Sequence, residues 1–287
     1  MTSTLQRDGR VVAWHEYGHP AGAPCFYIPG ALASGLAGGS YDTAARNAGV
    51  RWISLDKPGF GESTRRPRWT PSSWVDDAVA VADHLALDRF TVVGESGGGP
   101  LALATACIRP DRVTRAVVVA GVGPFDEPTT TTGMKRANRQ LFALARHAPW
   151  LLTISFGAMA RTMRDEARAR RTITKMLASG PPPDAAVLDM PDHFSASFDA
   201  VLDALRHGAG GAVDEMRALV GPWGFSYADV TVPVVLLHGE QDVNVPIGAA
   251  RHAAQALPHA TLGTYPDLAH LLSATRANEI LSAVRGE

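Results

Sequence analysis

Phe90-Thr91-Val92-Val93-Gly94-Glu95-Ser96-Gly97-Gly98-Gly99-Pro100-Leu101 carries a short apolar run straight into a helical pattern. Residues 90–93 are mostly β-branched or aromatic and read as a buried strand. From Gly97 onward Leu101, Ala104, Thr105 and Ile108 fall on one helical face. That helix should stop at Arg109, because Pro110 biases the residue before it away from helical angles. Between strand and helix lies Gly94-Glu95-Ser96-Gly97-Gly98, a G-x-S-x-G pattern that gains its weight from this context. A serine on so sharp a turn needs unusual backbone angles and very small neighbours, which Gly94 and Gly98 supply. The turn lifts the hydroxyl above the sheet, near a helix N-terminus that favours developing negative charge.

The same alternation extends on both sides. Toward the N-terminus, Asp8-Gly9 suits a hairpin turn ahead of Val11-Val12-Ala13-Trp14. Residues 24–28 and 51–55 read as buried strands that end at Pro29-Gly30 and Asp56-Lys57-Pro58-Gly59. Thr70 can cap a helix that has Pro71 at its first position and Trp74, Val75, Ala78, Val79, Val81, Ala82 and Leu85 on its apolar face. Residues 116–120 form another strand. After Gly123 the rhythm breaks, and residues 124–230 show long amphipathic helical patterns without a convincing strand. It resumes with a strand at 232–238, a helix near 247–257, a weak strand near 260–265 and a last helix from about 272. Apolar strands alternating with helices predict an α/β fold, a mostly parallel sheet with helices on both faces. The expected organisation is a core of residues 1–123 and 231–287 with an inserted helical cap at 124–230.

Composition narrows the class. The chain has 287 residues, 46% of them hydrophobic and 19% charged, which suits a globular fold and not a disordered one. Its 27 basic residues, only Lys57, Lys135 and Lys175 being lysines, balance 28 acidic ones. No basic surplus therefore suggests a nucleic-acid partner. Cys25 and Cys107 are too few for a disulfide framework and read as small buried hydrophobes. No secretory pattern opens the chain and no apolar run approaches a membrane span. A cytoplasmic protein is expected, with a small-molecule substrate as its partner and no membrane.

A serine hydroxyl is a poor nucleophile without a base. Of the ten histidines, His270 follows Tyr265-Pro266-Asp267-Leu268-Ala269, between the last strand and the last helix. Loops at the carboxyl ends of parallel strands converge on one side of the sheet, which brings this loop toward Ser96. His238 lies within an apolar strand and reads as a structural histidine. The base needs an acid to orient it. Asp242 stands directly past that strand, and Asp126 is the second candidate. Ser96, Asp242, His270 is a nucleophile–acid–base order known in one hydrolase architecture.

These features together resemble the α/β-hydrolases, of the kind with an inserted cap. Asp56-Lys57-Pro58-Gly59-Phe60-Gly61-Glu62-Ser63 is similar to the family's D-x-P-G-x-G-x-S loop. His238-Gly239-Glu240-Gln241-Asp242-Val243-Asn244-Val245-Pro246 matches its H-G-x-x-D-x-x-V-P segment. The resemblance implies an oxyanion hole made by the backbone N–H groups of Gly97 and Ala31. Here Pro29-Gly30 stands where the family's His-Gly pair is usual, so the support of the Ala31 donor departs from the pattern. No Gly-Gly-Gly run occupies 30–32, unlike the hormone-sensitive-lipase type. Ser96 also separates the chain from the epoxide hydrolases and haloalkane dehalogenases, which use aspartate at the turn. No zinc-like Cys/His spacing or phosphate-cradling loop occurs, so neither metal nor cofactor is expected. The resemblance implies a serine hydrolase, foremost a carboxylic-ester hydrolase. The same triad also serves lactonases, thioesterases, C–C bond hydrolases, proline iminopeptidases and cofactor-free haloperoxidases. A noncatalytic ligand-binding protein of this fold is the alternative of another class.

The insert has a polarised charge layout. Residues 135–175 hold ten basic and two acidic side chains, and residues 184–229 hold eight acidic and two basic. One reading is two solvated helical faces that complement each other. The other is a basic half that steers anionic substrates toward the mouth. Cap side chains such as Trp150, Phe156, Phe194, Phe198 and Met216 favour a hydrophobic or aromatic substrate.

Overall fold

The structure, a computed structural model, describes residues 2–287. Eight strands form one sheet: β1 (Thr2–Arg7), β2 (Arg10–Gly18), β3 (Ala23–Ile28), β4 (Val50–Leu55), β5 (Phe90–Glu95), β6 (Val113–Val119), β7 (Val234–Gly239) and β8 (Ala260–Tyr265). Their spatial order is β1-β2-β4-β3-β5-β6-β7-β8. β1, β2 and β4 pair antiparallel, and every pairing from β4 to β8 is parallel. The hairpin expected at Asp8-Gly9 joins β1 to β2. β6 begins earlier than its apolar run, because Val113 pairs with Phe90 at the start of β5.

Alternation along the strands divides the core in two. Phe26, Ile28, Ile53 and Val92 face one side, against α2 (Pro71–His84), α3 (Gly99–Ile108) and α10 (Gly248–Ala256). Cys25, Tyr27, Trp52 and Val93 face the other, against α1 (Asp42–Asn47) and α11 (Ser273–Arg285). Cys25 is buried as expected, but Cys107 is only half-buried. Thr70 caps α2 reciprocally: its Oγ1 accepts from Ser73 N at 3.2 Å, and Ser73 Oγ accepts from Thr70 N at 2.8 Å.

Between β6 and β7 lie α4 (Arg136–His147), α5 (Pro149–Met163), α6 (Glu166–Ala178), α7 (Pro182–Ala185), α8 (Pro191–Leu205) and α9 (Gly210–Val220). All of these but α7 share a third apolar cluster that includes Phe142, Leu152, Phe156, Phe198 and Met216, and Ala31 and Leu32 of the sheet body pack against it. The return limb behaves differently, with Ala218, Trp223, Tyr227 and Val230 packing into the sheet's own core. The two charge blocks are not joined as complementary faces. Among the described residues no ion pair within 4.0 Å links them. They meet through the shared apolar cluster and through the Arg170 guanidinium, which lies over the Phe198 ring, 4.5 Å from its centre, and over the Phe194 ring.

Candidate active site

Ser96 sits where β5 ends, with φ +51°. A non-glycine residue in this left-handed region is strained unless its surroundings hold it there. Crowding explains the flanking glycines. A Cβ on Gly94 would strike Gly98 O and the Ala102 side chain, and a Cβ on Gly98 would strike Ile28 O. The Ser96 carbonyl is fixed by Val122 N at 3.0 Å, which ties the turn to the exit of β6.

His270 reaches this serine from the loop after β8. Its Nε2 lies 3.0 Å from Ser96 Oγ, and its Nδ1 lies 2.7 Å from Asp242 Oδ2. Asp242 Oδ1 accepts from Asn244 N at 2.7 Å and Val245 N at 2.9 Å. A carboxylate only accepts hydrogen bonds, so Nδ1 carries the proton and Nε2 is left to accept from the serine hydroxyl. Burial pushes the Asp242 carboxyl up, but the His270 charge and hydrogen bonds from His238 and His270 reverse this and hold it far below the usual carboxylate range. For His270 burial works against the charged ring, yet the Asp242 charge and hydrogen bond overcome it, with Asp184 and Glu95 adding to them. The net shift is upward. His238 is buried as expected, with Nε2 2.8 Å from Val245 O and 3.4 Å from Asp242 Oδ2, so it also braces the acid.

Ala31 and Gly97 are brought together as the sequence implied. A Cβ built on Gly97 would stand 3.0 Å from Ala31 N. Among the described residues neither backbone N–H has a backbone acceptor in its loop. The Ala31 and Gly97 backbones thus stand side by side at the Ser96 turn. The set as a whole can deprotonate a serine hydroxyl and hold a tetrahedral anion.

The full chain resembles known proteins in the same sense. Residues 31–277 match the family model described as alpha/beta hydrolase fold. The chain belongs to the α/β-hydrolase fold family. It is 28% identical over 225 residues to a 2-hydroxymuconate semialdehyde hydrolase of Pseudomonas putida, covering 77% of this chain and 70% of that one. It is 29% identical over 246 residues to a pimeloyl-(acyl-carrier protein) methyl ester esterase of Nitrosomonas europaea, covering 84% of this chain and 85% of that one. Among solved structures, a bromoperoxidase from Bacillus anthracis superposes with a TM-score of 0.75 at 19% identity, over 100% of both chains. Both of these relatives by sequence are hydrolases, and hydrolase activity is what they support for this α/β-hydrolase.

Other residues of this α/β-hydrolase fall into place around the site. Asp126, the second candidate acid, is exposed and lines a separate cavity of about 810 Å³ with Arg68, Arg146, Arg217 and Trp223. None of Ser96, Asp242, His270, Ala31 or Gly97 borders that cavity. Glu95 is not a free carboxylate. It accepts from Tyr27 Oη at 2.7 Å and Ser273 Oγ at 2.6 Å. His193 of α8 feels its charge, although burial holds that imidazole below its ordinary value. Asp184 of α7 and the pair Lys57 and Glu215 are buried and polar, and sequence reasoning assigned them no role. The only prior signal for Lys57 was its place in the glycine-rich Asp56–Ser63 motif. No helix among the described residues is long and apolar enough to cross a membrane.

Proposed function

We propose that this protein is a serine hydrolase that cleaves a carboxylic ester of a small hydrophobic or aromatic substrate, without a cofactor. The observation that carries the reading is the hydrogen-bonded line from Ser96 through His270 to Asp242. Ser96 Oγ attacks the ester carbonyl while His270 Nε2 takes its proton. The oxyanion rests on the N–H groups of Ala31 and Gly97. His270 returns the proton to the departing alcohol, which leaves the acyl group on Ser96. Water, deprotonated by His270, attacks that acyl-enzyme and releases the carboxylic acid. Asp242 keeps Nδ1 protonated and offsets the imidazolium charge in both halves. The apolar cluster of the helices between β6 and β7 meets Ala31 and Leu32, which supports an apolar acyl or alcohol group.

A fluorophosphonate probe tests the reading. Labelling confined to the peptide with Ser96, and lost in Ser96→Ala, is expected; a folded protein that stays unlabelled would point to a ligand-binding role. A second reading is C–C bond hydrolysis, favoured by the likeness to the Pseudomonas putida enzyme. Turnover of 2-hydroxymuconate semialdehyde exceeding that of any ester in a panel would select it. Glu95 is engaged by hydroxyl groups, which weakens the case for an aminopeptidase that needs a free carboxylate for a substrate amine.

A further inference from the structure

The loop Pro29-Gly30-Ala31-Leu32 must present one N–H to the oxyanion, yet Pro29 has no side chain able to brace it. Lys57 and Glu215 surround this loop from below. Both are fully buried, Lys57 at 0% and Glu215 at 0% exposure. Lys57 Nζ donates to Pro29 O at 3.1 Å, to Gly30 O at 2.6 Å and to Glu215 Oε1. Those three acceptors match the three donors of an ammonium group. Glu215 Oε2 accepts from Leu32 N at 2.8 Å. Ala33 N closes the turn onto Gly30 O at 3.3 Å.

The geometry of a trans peptide gives this arrangement a direction. Carbonyl and N–H of one peptide point opposite ways, and no cis bond occurs among the described residues. Lys57 draws the Gly30 carbonyl to its own side, so the Ala31 N–H must face away from it. Gly97 borders that N–H, since a Cβ built on it would stand 3.0 Å from Ala31 N. The neighbouring Leu32 has φ +61°, a left-handed setting that a branched residue avoids unless it is held. Glu215 holds it through the Leu32 N–H.

A buried ion pair contributes little net stability compared with apolar residues of the same size. Here the remaining hydrogen bonds of the pair all end on one catalytic loop. Glu215 belongs to α9 of the insert, and Lys57 belongs to the loop after β4. Next to them Arg65 Nε meets Asp214 Oδ2 at 2.6 Å, and Gly211 packs against Gly59. The start of α9 is thereby seated on the Asp56–Ser63 turn.

We propose that Lys57 and Glu215 are positioning residues that set the Gly30–Ala31 peptide, so that docking of α9 completes the oxyanion hole. This rests on the serine-hydrolase reading. Neither residue touches the substrate; each acts through Ala31 N–H.

The test compares wild type with Glu215→Gln and with the double variant Lys57→Met/Glu215→Met. The double variant leaves no unpaired buried charge and is expected to keep its thermal stability. Its kcat on a p-nitrophenyl ester should nevertheless fall about 10²-fold, the effect of losing one oxyanion donor, with KM little changed. Affinity for a trifluoromethyl ketone, which becomes a tetrahedral anion on Ser96, should fall in parallel. Glu215→Gln is expected to lose kcat and stability together. Recovery of kcat and ketone affinity along with stability in the double variant would overturn the proposal. Crystal structures of wild type and double variant read the loop without reference to activity. A rotated Gly30–Ala31 peptide in the double variant is expected, and an unchanged one overturns the clamp. Failure of the hydrolase reading shows separately, as wild-type Ser96 that takes no fluorophosphonate.

Discussion

Asp184 Oδ1 accepts a hydrogen bond from Leu271 N at 2.8 Å, so a carboxylate of the inserted helices grips the residue next to His270. Asp184 is buried, and burial raises its carboxyl, although the Leu271 bond and the His270 charge pull the other way. Its own charge adds to the upward shift of His270. On the serine-hydrolase reading the active form of His270 is the neutral ring, so kcat/KM should rise with pH through a value above the ordinary 6.5. Asp184→Asn keeps an oxygen for the Leu271 N–H but removes the charge. With less to favour imidazolium, the acid limb should move to lower pH, and activity at the acid end should rise relative to the plateau. A pH profile of kcat/KM checks this, and an unmoved limb would mean that the charge does not reach the ring.

Asp242→Asn should be far more damaging than its size suggests. Asp242 Oδ1 already accepts from two backbone N–H groups, Asn244 and Val245. An asparagine would place its oxygen there and turn its NH2 toward His270 Nδ1. Nδ1 must then accept, which puts the ring proton on Nε2 facing Ser96. A protonated Nε2 cannot take the serine proton. The expected loss is roughly 10⁴-fold in kcat, with stability nearly unchanged because the backbone bonds survive. Steady-state rates beside thermal unfolding of the same sample measure both.

The sheet and the hydrogen-bonded line of Ser96, His270 and Asp242 were open to sequence reading because their signals are local. The turn at Ser96 joins a strand to a helix within a few residues. Thr70 and Pro71 announce α2, and Asp242 ends a recognisable segment. Lys57 and Glu215 were not legible as a pair, since they lie 158 residues apart and meet only when α9 docks. Asp184 was counted as one acid in a charged block, and nothing nearby in sequence announces its partner at Leu271. That no ion pair within 4.0 Å links the two charge blocks among the described residues has a related reason. The Arg170 side chain lies over aromatic rings of α8, not against an acid there.

Phe198 is the keystone of the insert's own core. It is 1% exposed, stacks near Phe194 at 6.0 Å and carries Arg170 over its face. Phe198→Ala should cost about 3–5 kcal/mol of stability, as is usual for a large aromatic removed from a packed site. Ser34 N donates to Ala200 O on the same helix at 3.1 Å, so loosening α8 also frees the chain just past Leu32. Ester turnover should therefore decline before the sheet unfolds. Denaturant titration followed by both activity and far-ultraviolet circular dichroism separates the two events. Coincident curves would show that the insert and the sheet unfold together.

Charge on the insert yields a prediction about encounter and not chemistry. Arg161, Arg164, Arg168, Arg171 and Lys175 are exposed, and the structure gives none of them a carboxylate within 4.0 Å among the described residues. A concentrated field of one sign raises the local concentration of oppositely charged substrate. Salt screens that field, the Debye length falling from roughly 20 Å near 0.02 M to about 6 Å near 0.3 M. Over that range kcat/KM for an ester with an anionic tail should fall several-fold, while a neutral ester of the same shape should be unaffected. Arg168→Glu/Arg171→Glu should reduce the anionic ester's kcat/KM at low salt and remove most of its salt dependence. Its kcat should stay constant, because both residues are exposed on α6 and neither belongs to the catalytic line. Equal salt dependence for the two esters would show that the basic helices are a solvated surface and steer nothing.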